Sequence, residues 1–408
     1  MKTMGRELLR GRNNILLLVN VLLVVVFIGA GCTGAGGRGR PEGWAGGVVV
    51  DDTIIVGSRE GMIMALDVAD GTIQGDPIKL TAEQPSGGFG CGGGGTPGVA
   101  IYSSPIISGE LVYVGAHDGK VYAFAFDGEQ LRVEPRWVYP RQDDLGGVVI
   151  GGLVIVDNII YLASADGTVY ALDAVEGYKV WSHATGEQIW STPVVEGDTL
   201  FIGSFDKKLY ALDTADDGSL RWAFETQGAI TATPVVNENK VYFGTFGRRF
   251  YALDTASGEE VWRFPADDSD EDKPKNWFWA APLVSNGTIY APNMDGKVYA
   301  LDAETGALIN EFDLGGQIVS SPVVIELVTE EEEVYSLIIV ATQEGEVYSL
   351  NTANNEQKLL ASLGEKVQAP LFASDSTVYI HTFEDNLHAI DVETGGARKF
   401  LLATDTSE

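Results

Sequence analysis

One short phrase, repeated eight times, limits what this chain can fold into more than anything else in it. An apolar stretch ends in Ala-Leu-Asp or a close variant at Ala65-Leu66-Asp67, Ala123-Phe124, Ala171-Leu172-Asp173 and Ala211-Leu212-Asp213. It returns at Ala252-Leu253-Asp254, Ala300-Leu301-Asp302, Ser349-Leu350-Asn351 and Ala389-Ile390-Asp391. After a first step of 58 residues the interval is 40 to 49. That is the period of a blade of four short strands, and an array of such units predicts an all-β, eight-bladed propeller of antiparallel blades.

Residues 191–226 give the clearest unit. Short apolar runs at 191–195, 199–204, 208–213 and 220–224 are separated by Gly/Asp turns, as in a meander of hairpins. Each recurring residue has a physical reason. Pro105, Pro193, Pro234, Pro282, Pro322 and Pro370 are expected in the innermost strand, where a missing N–H costs little. The Asp ending the third strand can accept N–H bonds from the turn that follows. Trp181, Trp222 and Trp262 are expected in the outer strand, packing between blades. The expected blades are 44–82, 99–140, 147–186, 187–227, 228–265, 277–315, 316–364 and 365–402. The last is complete, so the ring is expected to close by blade packing and not through a shared sheet.

The fullest form of the repeat, Ala-Leu-Asp-x-x-x-Gly-x-x-x-Trp at Ala252 to Trp262, resembles the pyrroloquinoline-quinone (PQQ) type propeller repeat, and the resemblance covers residues 44 to about 402. Eight such units at an N-terminal tether also resemble the BamB lipoprotein propellers of the bacterial outer-membrane barrel-assembly machinery. That resemblance implies a non-catalytic scaffold in the cell envelope. The same repeat family contains PQQ-dependent dehydrogenases, which carry an adjacent cysteine pair and calcium ligands beside the quinone. Neither a Cys-Cys pair nor a matching aspartate base is found here, so no cofactor is expected. PQQ and calcium enter only under the dehydrogenase alternative.

The N-terminal residues have a different character. Arg6, Arg10 and Arg12 precede an apolar run from Ile15 to Ala30, and small residues then lead into Cys32. The order is that of an export signal over 1–31. Cys32 resembles a lipobox cysteine, with Gly29 where that pattern usually has Leu. The resemblance implies a lipid at Cys32; the chain then divides into a flexible tether over 32–43, the propeller expected from the repeats over 44–402 and a tail over 403–408. Depending on envelope type, such a chain would sit on the periplasmic side of an outer membrane or on the cell surface. The net charge of −31, near −34 once 1–31 is removed, argues against nucleic-acid partners. After Cys32 only Cys91 remains, in a Gly-rich loop, so no intramolecular disulfide is available. A monomer is expected, with other envelope proteins and the membrane as its partners.

Long inter-blade loops at 80–98, 134–146 and 265–278 should share one face with the turns between second and third strands. Three residues before each inner-strand proline or its equivalent stand Trp44, Tyr102, Val149, Trp190, Thr231, Trp279, Val319 and Val367, expected around one mouth of the channel. Together with Trp137, Trp277 and the cation pair Arg248 and Arg249, the aromatic members form the candidate binding face. They could anchor a partner side chain or stack on cell-wall glycan. Asp267, Asp268, Asp270 and Asp272 are a weak candidate cation site, because the run lacks the spacing of a calcium loop. No catalytic residue is expected.

Overall fold

The repeat Ala is small because a large side chain faces it across the sheet. In blades 2 to 5 the partner of Ala123, Ala171, Ala211 and Ala252 on the neighbouring outer strand is Trp137, Trp181, Trp222 and Trp262. A register shift directly follows the repeat Ala in each pairing, and such a bulge re-aims the outer strand. Each of these tryptophans then reaches the next blade. Its ring lies against the Gly of the turn that follows that blade's Ala-Leu-Asp: Trp137 on Gly177, Trp181 on Gly218, Trp222 on Gly258 and Trp262 on Gly306. These glycines have φ near +70°, and a Cβ on any of them would collide with the indole. The indole N–H of Trp137, Trp222 and Trp262 donates to the carbonyl of Ala174, Thr255 and Ala303, each at 3.0 Å. The repeat is therefore one half of a blade-to-blade joint.

The computed structural model describes residues 43–81, 98–142, 144–267, 274–328 and 334–402. Within them lie eight four-stranded antiparallel sheets, each made of four strands consecutive in the chain. Blade 4 has strands Val194–Glu196, Thr199–Gly203, Lys208–Asp213 and Ser219–Glu225, close to the expected runs. First strands of most adjacent blades neighbour one another, including Gly47–Val50 of blade 1 against Phe372–Ser374 of blade 8, so they line the axis. Apolar clusters lie between blades: Tyr113, Val121 and Trp137 of blade 2, for example, pack with Val149, Ile160 and Leu172 of blade 3. The Asp ending the third strand caps its turn as expected. Asp213 accepts from the N–H of Ala215 and Asp216, and Asp302 from those of Glu304 and Thr305.

Three details differ from the sequence reading. The proline stands just before the first strand: Pro193 precedes Val194–Glu196 and Pro105 precedes Ile106–Ser108. The first strands of most blades are only three residues long, and a residue without an N–H does not extend them. Trp137 lies in the outer strand Leu131–Tyr139, not in a loop, and is 7% exposed. The third concerns ring closure, where blade packing is indeed the means, but with changed chemistry. Second strands end in a small residue or proline in seven blades (Gly57, Gly115, Ala163, Gly203, Gly244, Pro292, Ala341), leaving room for a residue of the next blade such as Ile230 or Phe278. Blade 8 ends in His381, and blade 1 offers Gly43 at the facing position. Large and small have changed sides. His381 is buried, with Nδ1 2.8 Å from the Ala45 carbonyl and Nε2 3.0 Å from Asp385 Oδ1. The same Asp385 oxygen accepts the Arg59 N–H at 2.8 Å, and Phe400 covers Gly71 where four other seams use Trp.

Candidate functional site

The turns between second and third strands share a face with the lead-in segments of their own blades, as expected. The backbone N–H of Phe205 donates to Gln188 O, that of Phe246 to Ala229 O, and that of Met294 to Trp277 O. The same bond joins His117 to Ala100, Ala165 to Val148, Gln343 to Gln317 and Phe383 to Lys366. These bonds fix which residues are equivalent, and they correct the sequence register in two blades. Val149 and Val367 are fully buried and belong with Ile189 and Ile230; the true equivalents of Trp190 are Ile150 and Gln368. Blade 3 has no proline to count from, and in blade 8 Leu371 stands where other blades have it, one place after Pro370.

The aromatic positions do not form one ring. Trp44 and Tyr102 meet edge-on with centroids 4.4 Å apart, and Tyr102 lies 5.3 Å from His117. Separately, Trp190, Trp277 and Trp279 join Phe205 and Phe246 in a hub spanning blades 4 to 6. Trp190 lies 4.6 Å from Phe205 and 6.1 Å from Trp279, edge-on to both. Phe246 is stacked against Trp277 at 4.6 Å and Trp279 at 5.6 Å. All five rings are half-buried. Phe205 and Phe246 were missed from sequence. Their signal was available, since each directly follows the Ser or Thr that comes just after its second strand.

Two polar groups within this sector lack partners. Thr231 is 7% exposed and occupies, in blade 5, the position held by Trp190 and Trp279 in blades 4 and 6. Its Oγ1 and the Nε1 of Trp190 are buried and meet no hydrogen-bond partner among the described residues. A buried, unsatisfied hydroxyl or N–H costs about 1–3 kcal/mol, so both are notable.

The other candidates behave differently. Arg249 is fully buried, and its guanidinium donates to Pro265 O and Asp267 O, both at 2.9 Å. It ties down the start of the 265–278 loop and cannot receive a partner carboxylate, as the sequence had suggested. Arg248 is half-buried in the same turn, at φ +60°. Trp137 belongs to a blade seam and not to a binding face. Asp267 is exposed, and Asp268, Asp270 and Asp272 lie outside the described residues, as do Cys32 and Cys91. No group of three His, Cys, Asp or Glu able to hold a metal occurs among the described residues.

A second feature of this face escaped the sequence reading. The residue after each turn position is acidic in seven blades: Glu60, Asp118, Asp166, Asp206, Asp295, Glu344 and Glu384, with Gly247 in blade 5. In four of them the carboxylate caps its own turn and takes a tyrosine hydroxyl four residues on. The Asp118–Tyr122 and Asp206–Tyr210 contacts are 2.5 Å, Asp166–Tyr170 2.7 Å and Asp295–Tyr299 2.8 Å. Burial and the neighbouring carboxylate raise the Tyr210 pKa to about 12. Burial also raises Asp118, against the pull of the Tyr122 hydroxyl. Between blades 3 and 4, Asp166, Glu187 and Phe205 with Ala165 and Gln188 line a concavity of about 450 Å³.

A vicinal disulfide cannot form, because the only cysteines of the chain are Cys32 and Cys91.

Among proteins of known structure, the chain is similar to BamB from Moraxella catarrhalis, at 19% identity and a TM-score of 0.59, covering 83% of this chain and 91% of that one. That likeness is one of fold. Among curated proteins it is 26% identical over 173 residues to outer membrane protein assembly factor BamB of Taylorella asinigenitalis, covering 42% of this chain and 41% of that one. It is 25% identical over 236 residues to the protein of the same name from Moranella endobia, covering 55% of this chain and 61% of that one. Each alignment thus spans less than two thirds of the relative. The sequence model of one family, described as outer membrane protein assembly factor BamB, matches residues 33–189 and 165–396. With nearly every blade inside those two matches, the chain belongs to the BamB family of PQQ-like repeat propellers.

Proposed function

We propose that this protein is a non-catalytic scaffold of the cell envelope that takes part in assembling outer-membrane proteins, held to the membrane by a lipid on Cys32. The observation that carries this reading is the family match across 33–396. The geometry adds a face for the work: a half-buried aromatic hub that rigid blades 4 to 6 hold in place. Partly exposed aromatic rings in a fixed frame are the usual anchors of protein interfaces. The partners on this reading are other proteins of the assembly machinery, met by the protein as a monomer.

Depleting the protein should slow the appearance of folded, heat-modifiable β-barrel proteins in the outer membrane. Unchanged folding on depletion contradicts the reading. A Cys32→Ser variant should leave the membrane fraction for the soluble periplasm, and its retention would refute the lipid anchor. The dehydrogenase alternative predicts dye reduction on alcohols or sugars after reconstitution with PQQ and calcium; none is expected.

A further inference from the structure

The concavity beside the hub has a definite chemistry. Asp166 and Glu187 are both exposed at its wall, Phe205 forms its aromatic side, and no cation lines it among the described residues. Phe205 is also the ring that touches Trp190, so concavity and hub are continuous. On the hub side, the buried Trp190 N–H can only donate, whereas the Thr231 hydroxyl can donate or accept. A polypeptide backbone offers both complements, a carbonyl for the indole and an N–H for the hydroxyl. A carboxylate pair against an aromatic face suits a guanidinium or ammonium group, through charge-assisted hydrogen bonds and cation–π attraction. The net charge of −31 adds long-range attraction for a basic segment and repels an acidic one.

We propose that this cleft docks an extended basic segment of a partner protein. An arginine or lysine side chain enters between Asp166 and Glu187 against Phe205, and the neighbouring backbone engages Trp190 and Thr231. The inference rests on the reading of this face as the docking face, and supplies the chemistry of the partner.

The test uses the folded protein and two synthetic peptides, acetyl-(Gly-Arg)₄-amide and its citrulline counterpart, which keeps the shape and removes the charge. Affinity is read by calorimetry at low and at near-physiological salt. The arginine peptide should bind at least tenfold tighter than the citrulline peptide. Asp166→Asn with Glu187→Gln should cost about tenfold, whereas Glu176→Gln with Asp216→Asn, exposed acids in turns of the opposite face, should leave affinity unchanged. Trp190→Ala with Trp279→Ala should also weaken binding, provided thermal unfolding shows an intact fold. Equal affinity for the two peptides overturns the proposal, as does an equal loss from the opposite-face pair. So does saturable binding of chitotetraose that needs the tryptophans while the arginine peptide does not. Photocrosslinking from Phe205 in cells separates the two layers. Crosslinks to an envelope protein together with no arginine preference would sink this inference and leave the docking face standing.

Discussion

Two sectors of the same face, built on the same backbone frame, are finished in opposite ways. At blades 8 and 1, many polar side chains are gathered into a dense internal network. Glu365 alone receives the Thr382 hydroxyl at 2.5 Å, the Lys399 ammonium at 2.6 Å, the Asn386 amide at 3.0 Å and the His388 ring at 3.2 Å. His381 uses both ring nitrogens, and the Arg59 guanidinium lies 3.9 Å over the Phe383 ring. At blades 4 to 6 the frame carries aromatic rings instead, with a hydroxyl and an indole N–H left unsatisfied. A dense internal network stabilises the fold and has less left to offer a ligand, whereas an unsatisfied group is costly until something binds. On the proposed reading, closure of the ring falls to one sector and recognition to the other.

The largest expected effect lies in the closing sector. His381→Ala opens a cavity and strips partners from Asp385 and the Ala45 carbonyl, which should cost about 3–5 kcal/mol of stability in urea or thermal unfolding. Trp190→Ala in the hub, where the ring is only half-buried, should cost clearly less. If the hub variant proved the more destabilising, the division of roles would be wrong.

Acid offers a finer probe. Burial alone would raise the Glu365 pKa, but the Lys399, Thr382, Asn386 and His388 contacts outweigh it and hold the group at about 2, against an ordinary 4.5. A folded-state value below the unfolded one means the ionised network stabilises fully above about pH 4.5 and loses that contribution as pH falls towards 2. Glu365→Gln should therefore lower stability at neutral pH and flatten the decline of stability between pH 4.5 and 2. A decline as steep as that of the parent protein would show that the network is not the cause.

The smallest effect has the most informative sign. Thr231→Val swaps an unpartnered hydroxyl for a methyl of similar shape, so stability should rise by up to about 1 kcal/mol while affinity for the docking peptide falls. A loss of stability would mean the hydroxyl is already satisfied within the fold.

Much of this architecture was legible because the repeat obeys local rules. The turn-capping Asp, the glycines at positive φ and the spacing from Ala to Trp all act within one blade or between neighbours. Counting from proline failed in blades 3 and 8, because proline is a convenience of the position before the first strand and not a requirement. Arg249 could not be read as buried, since what covers it is the carbonyl-rich start of a loop 16 residues further on. His381 was readable in principle: it is the one bulky residue at a position otherwise held by Gly, Ala or Pro. The hub needed three dimensions, because Trp190 and Trp279 are 89 residues apart and meet only across the mouth of the ring.

The most direct measurement exploits a symmetry of the frame. Gln188 and Lys366 hold equivalent lead-in positions, each with its carbonyl bound to the turn of its own blade, and both are exposed. A photocrosslinking amino acid at each, introduced singly into cells, compares the two sectors at matched geometry. Crosslinks from Gln188 to an envelope protein, with little or nothing from Lys366, are the predicted result. Equal capture at both sites, or capture from Lys366 alone, would contradict the assignment of recognition to the aromatic sector.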